Sequence, residues 1–239
     1  MTSEAPRPSN GSYHHGNLRH ALIAQGRLEL EKMGPQELSL RNLARAVGVS
    51  EAAPSRHFAG KAGLLAAIAA DGFGELACIR ARITNSGDDA LTVAYRMMDA
   101  YVDFAREHKG LFNLMVGPRI VARDAYPELS SRSAESFNAF ARAVEEYARE
   151  CGWQKEALPF VVHGAWAMEH GLATLILSER VPRLEMPIAI DSIVHFSISM
   201  FLHAVAAGPA RLEALLNATS TAPKGWEDAS AGGGGCGGN

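Results

Sequence analysis

Apolar side chains recur at helical intervals along most of this chain of 239 residues. Leu18, Ala21, Leu22, Leu28 and Met33 give the inner face of a first helix, opening at about Asn17 and stopped by Gly34-Pro35. Leu40, Leu43, Ala44 and Val47 fall at i, i+3, i+4, i+7 and predict a short amphipathic helix. Ser39, just before it, can cap its first turn. Gly48 follows, the residue type that enters a left-handed turn without steric cost. Ser50 is a second candidate cap, for a helix from Glu51 to about Phe58. Pro54 fits that helix only near its first turn, where about one backbone bond is lost.

From Lys61 the pattern is almost purely helical. Leu64, Leu65, Ile68, Phe73, Leu76 and Ile79 predict a long connecting helix to about Ile83, broken by Asn85-Ser86-Gly87-Asp88. Helices follow over about Asp89–Glu107, Leu111–Val116, Glu128–Cys151, Glu156–Ser178 and Pro187–Ala206, with a loop from Gly117 to Pro127. A short amphipathic segment, Leu212–Leu216, closes the fold. The expected class is all-α: a three-helix N-terminal domain and a larger helical bundle that dimerises through its last two long helices. The expected divisions are a disordered arm over 1–12, a helix-turn-helix domain over 13–60, a ligand-binding and dimerisation domain over 61–216, and a flexible Gly-rich tail over 217–239.

A helix, a glycine turn and a second short helix in this space form a helix-turn-helix, whose second helix lies in the DNA major groove. Position then assigns roles. Behind Ser50, which is also placed at the DNA surface, Glu51, Ala52 and Ala53 open the reading helix and face base edges, the alanines offering only methyl contact. Arg56 is the one long cation on it. Lys61 begins the next helix, where an ammonium and backbone amides can meet phosphate together, and Arg41 does the same one helix earlier. Ser39 can add a hydroxyl.

The run LSLRNLARAVGVSEAAPSRHFAGKAGLL, with YHHGNLRHAL upstream, resembles the DNA-binding domain of the TetR family of one-component bacterial regulators. That family places an aromatic or polar triplet for phosphate and groove contacts where this chain has Ser55, Arg56 and His57. Relatives usually carry Tyr at the position of Ser55, so a large phosphate-side contact is missing here. The stretch HGAWAMEHGLATLIL is similar to the C-terminal domain of a TetR subgroup that dimerises as a four-helix bundle. The resemblance implies a sequence-specific regulator, a repressor released from a palindromic operator by a small apolar effector.

Charge changes the picture only through its distribution. The net charge is −3. Residues 1–61 carry 8 Lys and Arg against 5 Asp and Glu, whereas the remainder carries 15 against 21. A basic head on an acidic body fits a molecule in which one end meets phosphates. No apolar run looks long enough to span a bilayer and the N-terminus lacks signal-peptide shape, so a cytoplasmic location is expected. Cys78, Cys151 and Cys236 have no ligand or CxxC spacing, which fits reduced thiols, with a redox-sensor role for Cys78 or Cys151 as the minority reading.

In the body, two helices with few charges and several small residues suggest an obligate dimer, with Gly164, Ala167, His170, Gly171, Leu175, Phe196 and Met200 at the interface. Met98, Tyr101, Phe112, Met115, Phe137, His163 and Trp166 suit an apolar effector pocket with a few polar groups. The competing readings are a solid core, hence an effector-independent DNA-binding protein, and a helical-bundle enzyme. His163, Glu169 and His170 share a helix, but HExxH, GxSxG and Walker patterns are missing. No enzyme activity, cofactor or metal is expected; the expected partners are double-stranded DNA, a second copy and a small effector.

Overall fold

The computed structural model describes residues 15–117, 122–178 and 188–219. The described residues form α-helices and short 3-10 turns, with no strand. The helices are α1 (His15–Glu37), α2 (Leu40–Val47), α3 (Gly60–Thr84), α4 (Ala90–Glu107), α5 (Lys109–Val116), α6 (Pro127–Glu150), α7 (Leu158–Leu177), α8 (Ile190–Ala206) and α9 (Pro209–Thr219). The expected arm over 1–12, and the expected tail beyond Thr219, lie outside the described residues.

Two compact units divide the chain. The first takes residues up to 72 and residues 110–130; the second takes 73–109 and everything from 131. α3 is one unbroken helix that supplies residues to both.

In the first unit α1 starts at His15, two residues before the expected Asn17. It is kinked at Gly34, whose φ of 76° and ψ of 174° no L side chain adopts easily, and Pro35–Glu37 add a turn beyond the kink. Its core is Leu22, Leu30, Leu38, Leu43 and Leu64, all almost fully buried. Burying each such side chain contributes about 1.5–3 kcal/mol. The surface pairs Arg19–Glu128 at 2.6 Å and Arg27–Asp71 at 2.8 Å add only about 0–1 kcal/mol apiece, so burial holds this unit together. Glu31 of α1 accepts from the amides of Gly110 (2.7 Å) and Leu111 (2.9 Å), satisfying two of the donors that open α5.

In the second unit α4 packs on α7 and α8 over a core that includes Met97, Met98, Phe140, Val144, Val162, Ala165 and Ile198. Asp89 caps α4 by accepting from the Thr92 amide at 2.7 Å. Trp153 Nε1 donates to the Val205 carbonyl at 2.8 Å, and Tyr147 to that of Leu202 at 3.2 Å, pinning the α6–α7 connection to α8. α9 is longer than the expected 212–216, because Gly208 at φ 78° turns the chain and Pro209 starts the helix at once.

One expectation is corrected here. α3 and α7 are each long and apolar enough, by length and composition, to cross a membrane. Of the most apolar stretch of α3, 61% is buried inside the protein, because this helix lends apolar faces to two cores; the figure for α7 is 33%.

Candidate nucleic-acid interface

α2 ends as its sequence requires. Gly48 takes φ 77° and ψ 32°; its amide donates to the Arg45 carbonyl and that of Val49 to Ala44. This 6→1 and 5→2 pair is a Schellman turn, and it re-aims the chain within two residues. Ser39 holds the N-cap position with extended backbone (φ −132°, ψ 126°), but its side chain makes no capping bond; its carbonyl accepts from Leu43 instead.

The helix expected over Glu51–Phe58 is not an α-helix. An α-helical residue 54 would donate its amide to the Ser50 carbonyl, and proline has none. The Ala53 amide takes that carbonyl at 2.9 Å instead, in an i→i−3 bond. Arg56 and His57 continue the tighter pattern, so Pro54–Arg56 is a 3-10 turn with Pro54 buried. The hydroxyl of Ser55, which stands where relatives usually carry Tyr, donates to the Ala52 carbonyl at 2.7 Å. Phe58 is core, 5% exposed, with Arg19 over its ring at 5.9 Å.

The charged groups of this surface are placed differently from the sequence expectation. Arg56 is exposed on the 3-10 turn, as its assignment needs. Lys61 is half-buried and its ammonium donates to the Gln36 carbonyl at the end of α1. Glu51, expected to face base edges, is clamped by α2: Arg41 Nε donates to Oε1 at 2.7 Å, and Arg45 does so twice, at 2.8 and 3.1 Å. Hydrogen bonds from Arg41, then Arg45, hold the Glu51 carboxyl below the usual carboxylate range. Arg45 was missed in the sequence, although it stands one turn beyond Arg41 on the same face of α2. Ala52, Ser55 and Arg56 are exposed, and Ala53 and His57 are half-buried.

The residues expected to line an effector pocket do not all meet. Phe112 and Met115 belong to the core of the first unit, against α3 where Gly72 leaves room for Leu111 and Met115. The other five lie in the second unit. There Phe137, Trp166, His170 and Tyr101 form a run of ring contacts with centroids 5.9, 6.0 and 6.3 Å apart, and His163 joins at Trp166 (6.4 Å). Met98 is fully buried core. His163 donates through Nδ1 to its own helix at Pro159, and His170 shares a hydrogen bond of 3.1 Å with Tyr101, so the two do not form a pair.

Beside this run Arg80 and Glu169 are buried against each other. Arg80 of α3 donates to Glu169 of α7 at 3.2 Å and to the carbonyl and hydroxyl of Ser136 on α6 at 2.9 and 3.1 Å. Its guanidinium lies over Tyr101 (5.5 Å) and Phe140 (5.1 Å). Burial, only partly offset by Arg80, pushes Glu169 up to about 8. The pair has a sequence signal: Arg80 interrupts the apolar stripe Leu76, Ile83 at i+4. An open groove of about 670 Å³ also lies among α4, α6 and α8, with Leu91, Tyr95, Tyr147, Phe196 and Met200 on its walls.

Of the expected interface residues, Ala167, Leu175, Phe196 and Met200 are exposed, and His170 and Gly171 half-buried. Gly164 has another duty. A Cβ there would sit 3.2 Å from Phe201, so this glycine lets α7 approach α8 of its own chain.

Two family models match the sequence: bacterial regulatory proteins of the tetR family over residues 22–68, and the tetracyclin repressor-like C-terminal domain over 94–201. A solved protein of unknown function from Rhodococcus sp. RHA1 is 33% identical over 82% of this chain and 100% of its own, with a TM-score of 0.70. The chain belongs to the TetR family. It is a DNA-binding transcriptional regulator of that family, with the family's regulator domains. The TetR fold recurs at low identity in the TetR family transcriptional regulator PfmR from Thermus thermophilus (15% identical, 76% of this chain and 97% of that one, TM-score 0.57). It recurs likewise in the fatty acid degradation regulator FadR from Bacillus halodurans (10%, 82% and 97%, TM-score 0.60). No curated protein matches the sequence.

Proposed function

We propose that this TetR-family protein is a cytoplasmic homodimeric repressor, released from a palindromic operator by a small apolar effector. The exposed basic turn carries the reading: Arg41, Arg45 and Arg56 stand on one short motif around the Gly48 turn. Two copies of that motif enter successive major grooves, which requires a separation of ~34–36 Å. Ser39, Ser50, Ala52, Ala53, Ser55, His57 and Lys61 complete the contact surface, with Lys61 keeping two of its three donors beyond the one bound to Gln36.

The second copy pairs through α7 and α8, whose outer faces expose Leu175 (51%), Phe196 (66%) and Met200 (58%). The effector binds the second unit along the ring run of Tyr101, Phe137 and Trp166, whose outer end, Trp166 with His163, is exposed. Because α3 supplies both units, effector binding that rotates its second half displaces the reading turn at its first. A switch from 1:99 to 99:1 needs about 5.5 kcal/mol of preference for the released form.

The test is selection of bound duplexes from a random pool, then anisotropy with the winner. Arg56→Ala should weaken binding by about 1–3 kcal/mol, roughly 5- to 150-fold. Unchanged affinity in both Arg56→Ala and Arg41→Ala would sink the assignment of this face.

A further inference from the structure

Glu51 stands where the DNA-reading surface begins, yet it puts a negative charge among that surface's arginines. All three of its short contacts fall on one oxygen, Oε1, from Arg41 and Arg45. Those two side chains lie one turn apart on α2, 64% and 57% exposed, and Glu51 is 48% exposed. A guanidinium recognises carboxylate and phosphate oxygens by the same geometry. An ion pair this exposed adds little stability, so its consequence lies in what it withholds from other anions.

We propose that Glu51 is a built-in phosphate stand-in, which occupies Arg41 and Arg45 in the free protein and so suppresses binding to duplexes of the wrong sequence. The inference rests on the DNA-facing reading above. Binding to arbitrary sequence is driven almost wholly by phosphate neutralisation. The clamp removes two cations from that process and adds one repelling charge. On the matching site, base contacts from the reading turn compensate for opening the clamp. On other duplexes nothing does. Glu51 is thus a specificity-determining residue that need not touch a base.

The experiment compares the full chain with Glu51→Gln on a mixed-sequence duplex, by anisotropy across salt. Gln keeps the shape and loses the charge, and the site is exposed, so the fold should persist. Each regained phosphate contact steepens the salt slope by about 0.9, so the variant's advantage should shrink about 3- to 12-fold between about 50 and about 200 mM salt for one or two contacts. In an Arg41→Gln/Arg45→Gln background the steepening should vanish. An equal gain in that background would show a general charge effect and overturn the clamp. So would a loss confined to the selected operator, which would make Glu51 a reader of a base donor such as the cytosine amino group. Unchanged binding in Glu51→Gln while Arg56→Ala is impaired overturns the clamp alone. Unchanged binding in Glu51→Gln, Arg56→Ala and Arg41→Ala alike overturns the clamp and the DNA face together.

Discussion

The most consequential single residue outside the DNA surface is Glu169. It is fully buried, one of its oxygens, Oε2, has no partner, and Arg80 Nε is likewise unpartnered. Above about pH 8, where Glu169 is ionised, Glu169→Ala would strand the Arg80 charge in the core and should cost about 3–5 kcal/mol in urea unfolding, whereas Arg80→Met/Glu169→Leu together should recover most of it. Persistence of the single-variant loss in the double variant would show that the pair is worth more than its burial costs. The pH dependence has a definite sign. A carboxyl raised from 4.5 to about 8 keeps, in the folded state, a proton that the unfolded chain releases. The Glu169 contribution to stability therefore falls as pH rises from 4.5 to about 8 and is flat above. Glu169→Gln cannot ionise, so it should gain on the parent across that window; a constant difference would refute the raised carboxyl.

At the scale of elements, the reading turn shows how one missing amide changes a helix. The segment from Ser50 to Phe58 has helical caps and length in sequence, but Pro54 cannot bond to Ser50, and Ala53 takes the carbonyl. Pro54→Ala supplies that donor. The new amide should become protected in hydrogen exchange and the segment should gain helical circular dichroism. An amide exchanging as fast as a free peptide would show that burial of the turn, and not the proline, dictates the 3-10 form. The same logic separates what was legible here from what was not. Gly48 was readable because φ above zero is a local demand, whereas the clamp of Glu51 by α2 was not, because it depends on how the Schellman turn folds the chain back.

For the whole molecule, the exposed apolar faces of α7 and α8 are the dominant unexplained feature of a monomer. Leu175 and Phe196 project outward while Leu172 and Ile198 on the same helices are buried. Leu175→Arg should give monomers in sedimentation velocity and, by removing the second reading turn, weaken operator binding by more than ten-fold. An intact dimer would refute this interface. Gly164 warns against reading every small residue on α7 as an intersubunit contact, since its open side is filled by Phe201 of the same chain.

Local and periodic signals in the sequence determined the helical class, most helix ends, the glycine turn and the basic motif, because backbone preference and amphipathic spacing act over a few residues. Long-range pairing decided the rest. Arg80 meets Glu169 across 89 positions, Glu31 caps a helix 79 residues away, and the seven residues expected in one pocket divide between two units, with His163 and Trp166 exposed. Such partnerships follow from which faces pack together, and helical periodicity says only that a face exists, not what covers it.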